Sequence, residues 1–204
     1  KRGDNSQQVS QKLMRVSNDI LNIPNLLTIF RIALIPVLVL LLLSPSELSS
    51  ILSVVVFSIA SITDWLDGYL ARKMNIVTNL GKFLDPIADK LLIAAALVML
   101  VGLGRVPAWM VVVIIGREIA VTGLRSIASS EGIIIAASDL GKGKMILQIS
   151  ALIGLLLHYQ YMGIDFHAVG MMLLWIALAL TAWSGFDYFN KFMKVILREP
   201  QKAP

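Results

Sequence analysis

The sequence predicts an all-α, polytopic membrane protein: a bundle of six transmembrane helices preceded by an amino-terminal interfacial amphipathic helix. Three observations carry this expectation. Of the 204 residues, 57% are hydrophobic and only 15% charged, against roughly 45–50% apolar in a soluble domain. Mean hydropathy is +0.78. The apolar residues also gather into six runs, most of them long enough to cross a hydrocarbon core about 30 Å thick at about 1.5 Å per residue.

The elements follow in chain order. The leader, KRGDNSQQVSQKLMRVSNDILN, sets Val9, Leu13, Met14, Val16, Ile20 and Leu21 at helical spacing among charges, so residues 1–25 read as an irregular start and then a helix lying in the cytosolic interface. The first apolar run begins only after this polar leader and is of spanning length, unlike a cleavable signal. Spans are expected at Leu26–Leu43, Ile51–Tyr69, Phe83–Val101 and Val106–Leu124. The fifth run, Met145–Tyr159, is short and contains Gln148, so its helix is expected to begin earlier, near Leu140. A sixth span, Ala168–Phe186, completes a transmembrane domain of residues 26–190, and residues 191–204 form a basic cytosolic tail.

Charge sets the orientation and excludes several function classes. Apart from Arg31 and Arg105, every Lys and Arg lies in the leader, the second-to-third connection, the fourth-to-fifth connection, their flanks, or the tail. Basic residues mark cytosolic connections, so both termini are expected in the cytosol at an inner membrane. With a pI near 9.6, the expected attraction is to anionic lipid headgroups rather than nucleic acid. The chain has no cysteine, which removes disulfides, thiolate metal sites and thiol nucleophiles.

Against this oily background stands SITDWLDGYLAR, residues 61–72. Asp64 and Asp67, three apart, share one face near the cytosolic end of the second helix. Beyond a short turn, Gly81, Asp85 and Asp89 share a face of the third helix, which must run antiparallel to the second. Four carboxylates so placed repel unless protonated or bridged by a multivalent cation. An all-oxygen donor set suits hard ions, and the number suits a pair of Mg²⁺ or Mn²⁺. Two such ions are the apparatus of phosphoryl displacement. Gly68 and Gly81 leave room beside the acids, and Arg72 offers a fork for a diphosphate, with Lys82 beside it.

The stretch DWLDGYLARKMNIVTNLGKFLDPIAD, residues 64–89, resembles the signature of the CDP-alcohol phosphotransferase family. All of its fixed positions match: Asp64, Asp67, Gly68, Ala71, Arg72, Gly81, Asp85 and Asp89. By composition alone such a match arises with a probability on the order of 10⁻¹⁰ per starting point. The resemblance implies transfer from a CDP-linked lipid to an alcohol with release of CMP. It further implies that Asp64, Asp67, Asp85 and Asp89 hold the metals, that Asp89 is also the catalytic base, and that Gly68, Arg72 and Gly81 face the cytidine diphosphate. NIPNLLTIFR is similar to the family's first helix, which makes Asn25, Thr28 and Arg31 candidate contacts to the CDP-lipid. Arg31 stands out physically as well, since an arginine about two turns inside a span needs a polar cavity.

Within this resemblance the acceptor is the variable. GREIAVTGLRS and GKGK resemble a branch whose acceptor is glycerol 3-phosphate, with Arg117, Arg125 and Lys142 receiving the acceptor phosphate. A simpler structural reading pairs Glu118 with Arg125, seven residues apart. Met145 departs from the threonine often found there, which weakens Lys144 as a contact. Other acceptors, inositol phosphate, serine or phosphatidylglycerol, stay open, as does a cation transporter with acids on its path. A homodimer is what the family resemblance implies. His158 and His167 flank the outer loop and read as interfacial; Trp65, Trp109, Tyr159 and Tyr161 read as belt residues.

Overall fold

In the computed structural model, residues 23–74, 79–130 and 140–198 are described. They form six helices: α1 Ile23–Leu43, α2 Glu47–Met74, α3 Asn79–Gly102, α4 Ala108–Ser130, α5 Leu140–Leu157 and α6 Phe166–Arg198. A two-stranded antiparallel hairpin, β1 Gln160–Tyr161 and β2 Ile164–Asp165, joins α5 to α6. The helical expectation therefore holds, with this hairpin as an addition. Of the expected leader, residues 1–25, the last three open α1 and residues 1–22 lie outside the described residues, as does the tail beyond Arg198. Helix α6 runs past residue 190, where the tail was expected to begin.

Among the described residues, three helices are long and apolar enough to cross a membrane: α1 over Asn25–Leu43, α2 over Glu47–Leu66 and α6 over Phe166–Lys194. They are apolar on their outer faces too, with Leu40, Ile62 and Trp183 more than half exposed. A helix greasy on every side is built for lipid or a large core. The other three depart from that standard for identifiable reasons. Helix α3 carries Asp85, Asp89 and Lys90 along its length, and α4 carries Arg117, Glu118 and Arg125. The apolar stretch of α5, Gly143–Leu157, is short.

The chain divides within α3 into two compact units, residues 1–95 and 96–204. In the first, α1 packs on α2. The buried stripe of α1 reads Asn25, Thr28, Arg31, Ile35, Leu38 and Leu42, polar in its first half and apolar in its second. On α2 the matching stripe is Ser50, Ser53, Phe57 and Ala60, with Asp64 one further turn along. Helix α2 starts at a reciprocal cap: the Ser49 amide donates to Ser46 Oγ at 3.1 Å, and the Ser46 amide donates to Ser49 Oγ at 2.7 Å. Such a cap satisfies orphan donors of the first turn.

In the second unit, α6 packs against both α4 and α5. Helices α5 and α6 meet at Gly154 and Gly170, where a Cβ on Gly170 would lie 2.7 Å from the Leu155 backbone nitrogen. Only glycine permits so close a crossing. The Arg105 guanidinium is buried and donates from Nη1 to the carbonyls of Leu156 at 3.0 Å and Leu155 at 3.3 Å. The last carbonyls of α5, which lack intrahelical donors and form the negative end of its dipole, are thus capped by a cation from another segment.

Candidate active site

The carboxylates of the first unit are organised by α1. Arg31 is fully buried, and its Nη1 stands 2.6 Å from Asp64 Oδ1, while its Nε donates to the Ala60 carbonyl at 3.3 Å. Three residues earlier, Thr28 Oγ1 donates to Asp85 Oδ1 at 2.7 Å. One helix face therefore grips an acid on α2 and an acid on α3. Asn25, also buried, extends the same face. The two acids are within electrostatic reach: Asp64 feels Arg31 as a counter-charge and Asp85 as a like charge. Asp64 keeps 25% of its side-chain exposure, so the pair is not sealed.

Asp89 lies one turn beyond Asp85 on α3, half-buried. Between them Pro86 sits inside the helix and has no amide to donate, which frees the backbone carbonyl one turn earlier. The side chains of Asp67, Gly68, Arg72, Gly81, Lys82 and Lys142 lie outside the described residues, although their backbones continue α2, α3 and α5. Among the described residues no group of three or more His, Asp or Glu is gathered as a metal site. The donor chemistry nevertheless fits a hard divalent cation: carboxylates from two helices, a hydroxyl beside one of them, and no soft ligand.

The second unit gathers a cationic cluster. Arg117 donates from Nη2 to Ser184 Oγ at 2.6 Å and from Nη1 to Glu118 Oε1 at 3.1 Å. Lys144, buried, pairs with the same Glu118 oxygen. Arg125 is exposed on α4, with its guanidinium carbon 5.9 Å from the centroid of the Tyr188 ring. Glu118 thus binds Arg117 and Lys144, and the simpler reading that paired Glu118 with Arg125 gives way to a cation–π contact between Arg125 and Tyr188. Two cations on one carboxylate leave a positive excess. Several buried donors also find no acceptor among the described residues: Arg117 Nε, Gln148 Nε2 and the hydroxyls of Thr181 and Tyr188.

Sequence reasoning missed part of this cluster. Lys144 was discounted because of its neighbour Met145, yet adjacent residues on a helix face different ways. The informative signal was Gln148, one turn from Lys144 and buried with it. Ser184 and Gly185 were also missed. A Cβ on Gly185 would stand 2.9 Å from Arg117 Cγ, so this glycine is the slot through which the arginine passes.

Comparison with known proteins supplies independent information. A family model described as CDP-alcohol phosphatidyltransferase matches residues 21–183. A Bacillus subtilis protein named CDP-diacylglycerol–glycerol-3-phosphate 3-phosphatidyltransferase is 46% identical over 182 residues, covering 83% of this chain and 94% of its own. A Haemophilus influenzae protein of the same name is 44% identical over 177 residues, covering 83% and 92%. An Arabidopsis thaliana protein, whose name adds the number 2, is 36% identical over 200 residues, covering 91% and 85%.

Proposed function

Because the chain belongs to the CDP-alcohol phosphatidyltransferase family, we propose that it moves a phosphatidyl group from CDP-diacylglycerol to glycerol 3-phosphate, giving phosphatidylglycerophosphate and CMP. The observation that carries this reading is the pair of gripped acids, Thr28 on Asp85 and Arg31 on Asp64, in a chain 46% identical to a transferase of that name. The enzyme is a membrane transferase with six spans, its termini and active site facing the cytosol, and it works as a homodimer.

Asp64, Asp67, Asp85 and Asp89 would hold two divalent cations, Mg²⁺ or Mn²⁺. Bound there, these ions supply charge neutralisation for the pyrophosphate and its leaving group. Asn25, Arg72 and Lys82 contact the CDP-lipid, and Gly68 and Gly81 keep the surface beside it open. Arg31 and Thr28 act on the same substrate through the acids they orient. Arg117, Arg125 and Lys142 receive the acceptor phosphate, and Lys144 joins them through Glu118. The orphaned donors of this cluster suit a doubly charged phosphate.

In the reaction, the acceptor hydroxyl oxygen forms a bond to the phosphorus nearer the lipid. The bond from that phosphorus to the CMP phosphate oxygen breaks, and CMP leaves as the anion. The hydroxyl proton passes to Asp89, whose carboxylate accepts it as the oxygen bonds. Positioning and electrostatics supply most of the rate in such a displacement.

The test is CMP release from CDP-diacylglycerol in lipid nanodiscs. Turnover is expected with glycerol 3-phosphate, not with serine or inositol phosphate, and only with Mg²⁺ or Mn²⁺ present. Asp89→Asn should abolish turnover while leaving donor binding intact. Near-normal turnover in that variant would remove Asp89 as the base, and turnover with another acceptor alone would overturn the assignment of substrate.

A further inference from the structure

The chain contains two histidines. They stand nine positions apart, and the fold brings their Nδ1 atoms to 3.3 Å, with ring centroids 4.9 Å apart and planes at 82°. A neutral pair could share a hydrogen bond, but a collinear N–H···N contact of that length would put the centroids about 5.6 Å apart. A tetrahedral ion bound at about 2.0–2.1 Å from each nitrogen would set the nitrogens about 3.3–3.4 Å and the centroids about 5.2 Å apart. The observed nitrogen separation of 3.3 Å equals the bite of such a chelate, with the rings meeting edge to face.

We propose that His158 and His167 form a two-imidazole site for a transition-metal ion, Zn²⁺ or Cu²⁺, clipping the end of α5 to the start of α6. Imidazole nitrogen is the ligand these ions prefer, and water completes the coordination of a site with open positions.

Three features of the surroundings support the assignment. First, the mount is rigid. Gly154 lies one turn before His158 and Gly170 nearly one turn after His167, and the backbones touch there. Preorganisation of this kind is what a ligand pair needs. Second, His158 occupies a left-handed position, φ 61°, at the end of α5, its amide donating to the Gly154 carbonyl at 3.0 Å. Histidine is among the few non-glycine residues enriched at such positions, so the helix end accommodates the imidazole there. Third, both rings are half-buried and so within reach of solvent. Asp165, whose Oδ1 accepts the Ala168 amide at 3.0 Å and caps α6, partly offsets the charge of Arg105 near an incoming cation.

The site lies in a loop without Lys or Arg, on the side that the charge distribution makes non-cytosolic. Its chemistry is separate from the carboxylates, which offer oxygen only, and this separation makes the test clean. The untagged chain in nanodiscs, with millimolar Mg²⁺, is loaded with one equivalent of Cu²⁺ and examined by pulsed electron paramagnetic resonance. Coupling to two imidazoles is expected in the unaltered chain and to one in His167→Gln. None should remain when His158→Asn is added, asparagine being chosen because it tolerates the left-handed position. Excess Zn²⁺ should remove the two-imidazole signal. Coupling to one imidazole or none in the unaltered chain, a pattern unchanged in His167→Gln, or a signal indifferent to Zn²⁺ would overturn the proposal. The spectrum of the unaltered chain decides the matter even if a variant folds poorly.

Discussion

Replacing Gly185 with alanine should weaken the enzyme's grip on its acceptor while sparing the lipid donor. The new Cβ would stand 2.9 Å from Arg117 Cγ and 3.4 Å from Arg117 Nε. Carbon atoms prefer about 3.5–4.0 Å, so the arginine stem must move by more than half an ångström. Its 2.6 Å bond to Ser184 cannot survive that shift unchanged. A charge-assisted hydrogen bond contributes about 1.5–3 kcal/mol net. Partial loss, about 1–2 kcal/mol, corresponds to roughly 5- to 30-fold in an equilibrium constant. The assay is initial-rate CMP release at saturating CDP-diacylglycerol with glycerol 3-phosphate varied, then the reverse. The acceptor KM should rise by that factor and the donor KM should stay within about twofold. Ser184→Ala should move the acceptor KM in the same direction without altering the Arg117 stem. An unchanged acceptor KM in a well-folded Gly185→Ala protein, or equal changes for both substrates, would refute the role given to Arg117.

Three further outcomes are expected. Arg105→Met removes two bonds to the end of α5 and should lower stability by about 2–4 kcal/mol, the range for buried charged hydrogen bonds lost together. A fall in Tm in nanodiscs with KM unchanged for both substrates checks it. Gly170→Ala drives a methyl into backbone at 2.7 Å, where nothing flexible can yield, and should cost about 1–3 kcal/mol or more, read as the Tm of the purified protein. Thr28→Val keeps the shape but strips Asp85 of its 2.7 Å donor. Turnover should then need a higher Mg²⁺ concentration, by about 10-fold for the loss of a partner that orients a ligand, measured by titrating Mg²⁺ in the CMP assay.

How far the sequence spoke depended on the range of the interaction concerned. The positions of Asp64 on α2 and of Asp85 and Asp89, one turn apart on α3, were legible because helical repeat alone sets them. The early start of α5 at Leu140 was legible from the shortness of the apolar run. Arg105 was legible only as an exception to the charge rule. Its role as a cap on Leu155 and Leu156, some fifty residues away, depends on packing that no local pattern encodes. The β1–β2 hairpin escaped notice because its turn residues, Met162 and Gly163, both have positive φ, and Met162 takes the place where asparagine or aspartate would have signalled the turn. Glu118 illustrates a different limit. Spacing correctly put Arg125 on nearly the same face, but partner choice was decided by α5 and α6, which bring Lys144 and Ser184 to α4.

The Arg31–Asp64 contact also bears on how the protein is made. Arg31 lies eight residues into α1, about 12 Å along the helix, and an arginine deep in a span costs about 2.5–3.5 kcal/mol at insertion. During synthesis α1 emerges before α2, and so before Asp64 can meet that charge. The penalty falls once α2 has followed far enough to deliver Asp64, thirty-three positions later in the chain. Insertion of α1 and α2 as a coupled hairpin is therefore the expected route, with the Arg31–Asp64 contact linking the pair.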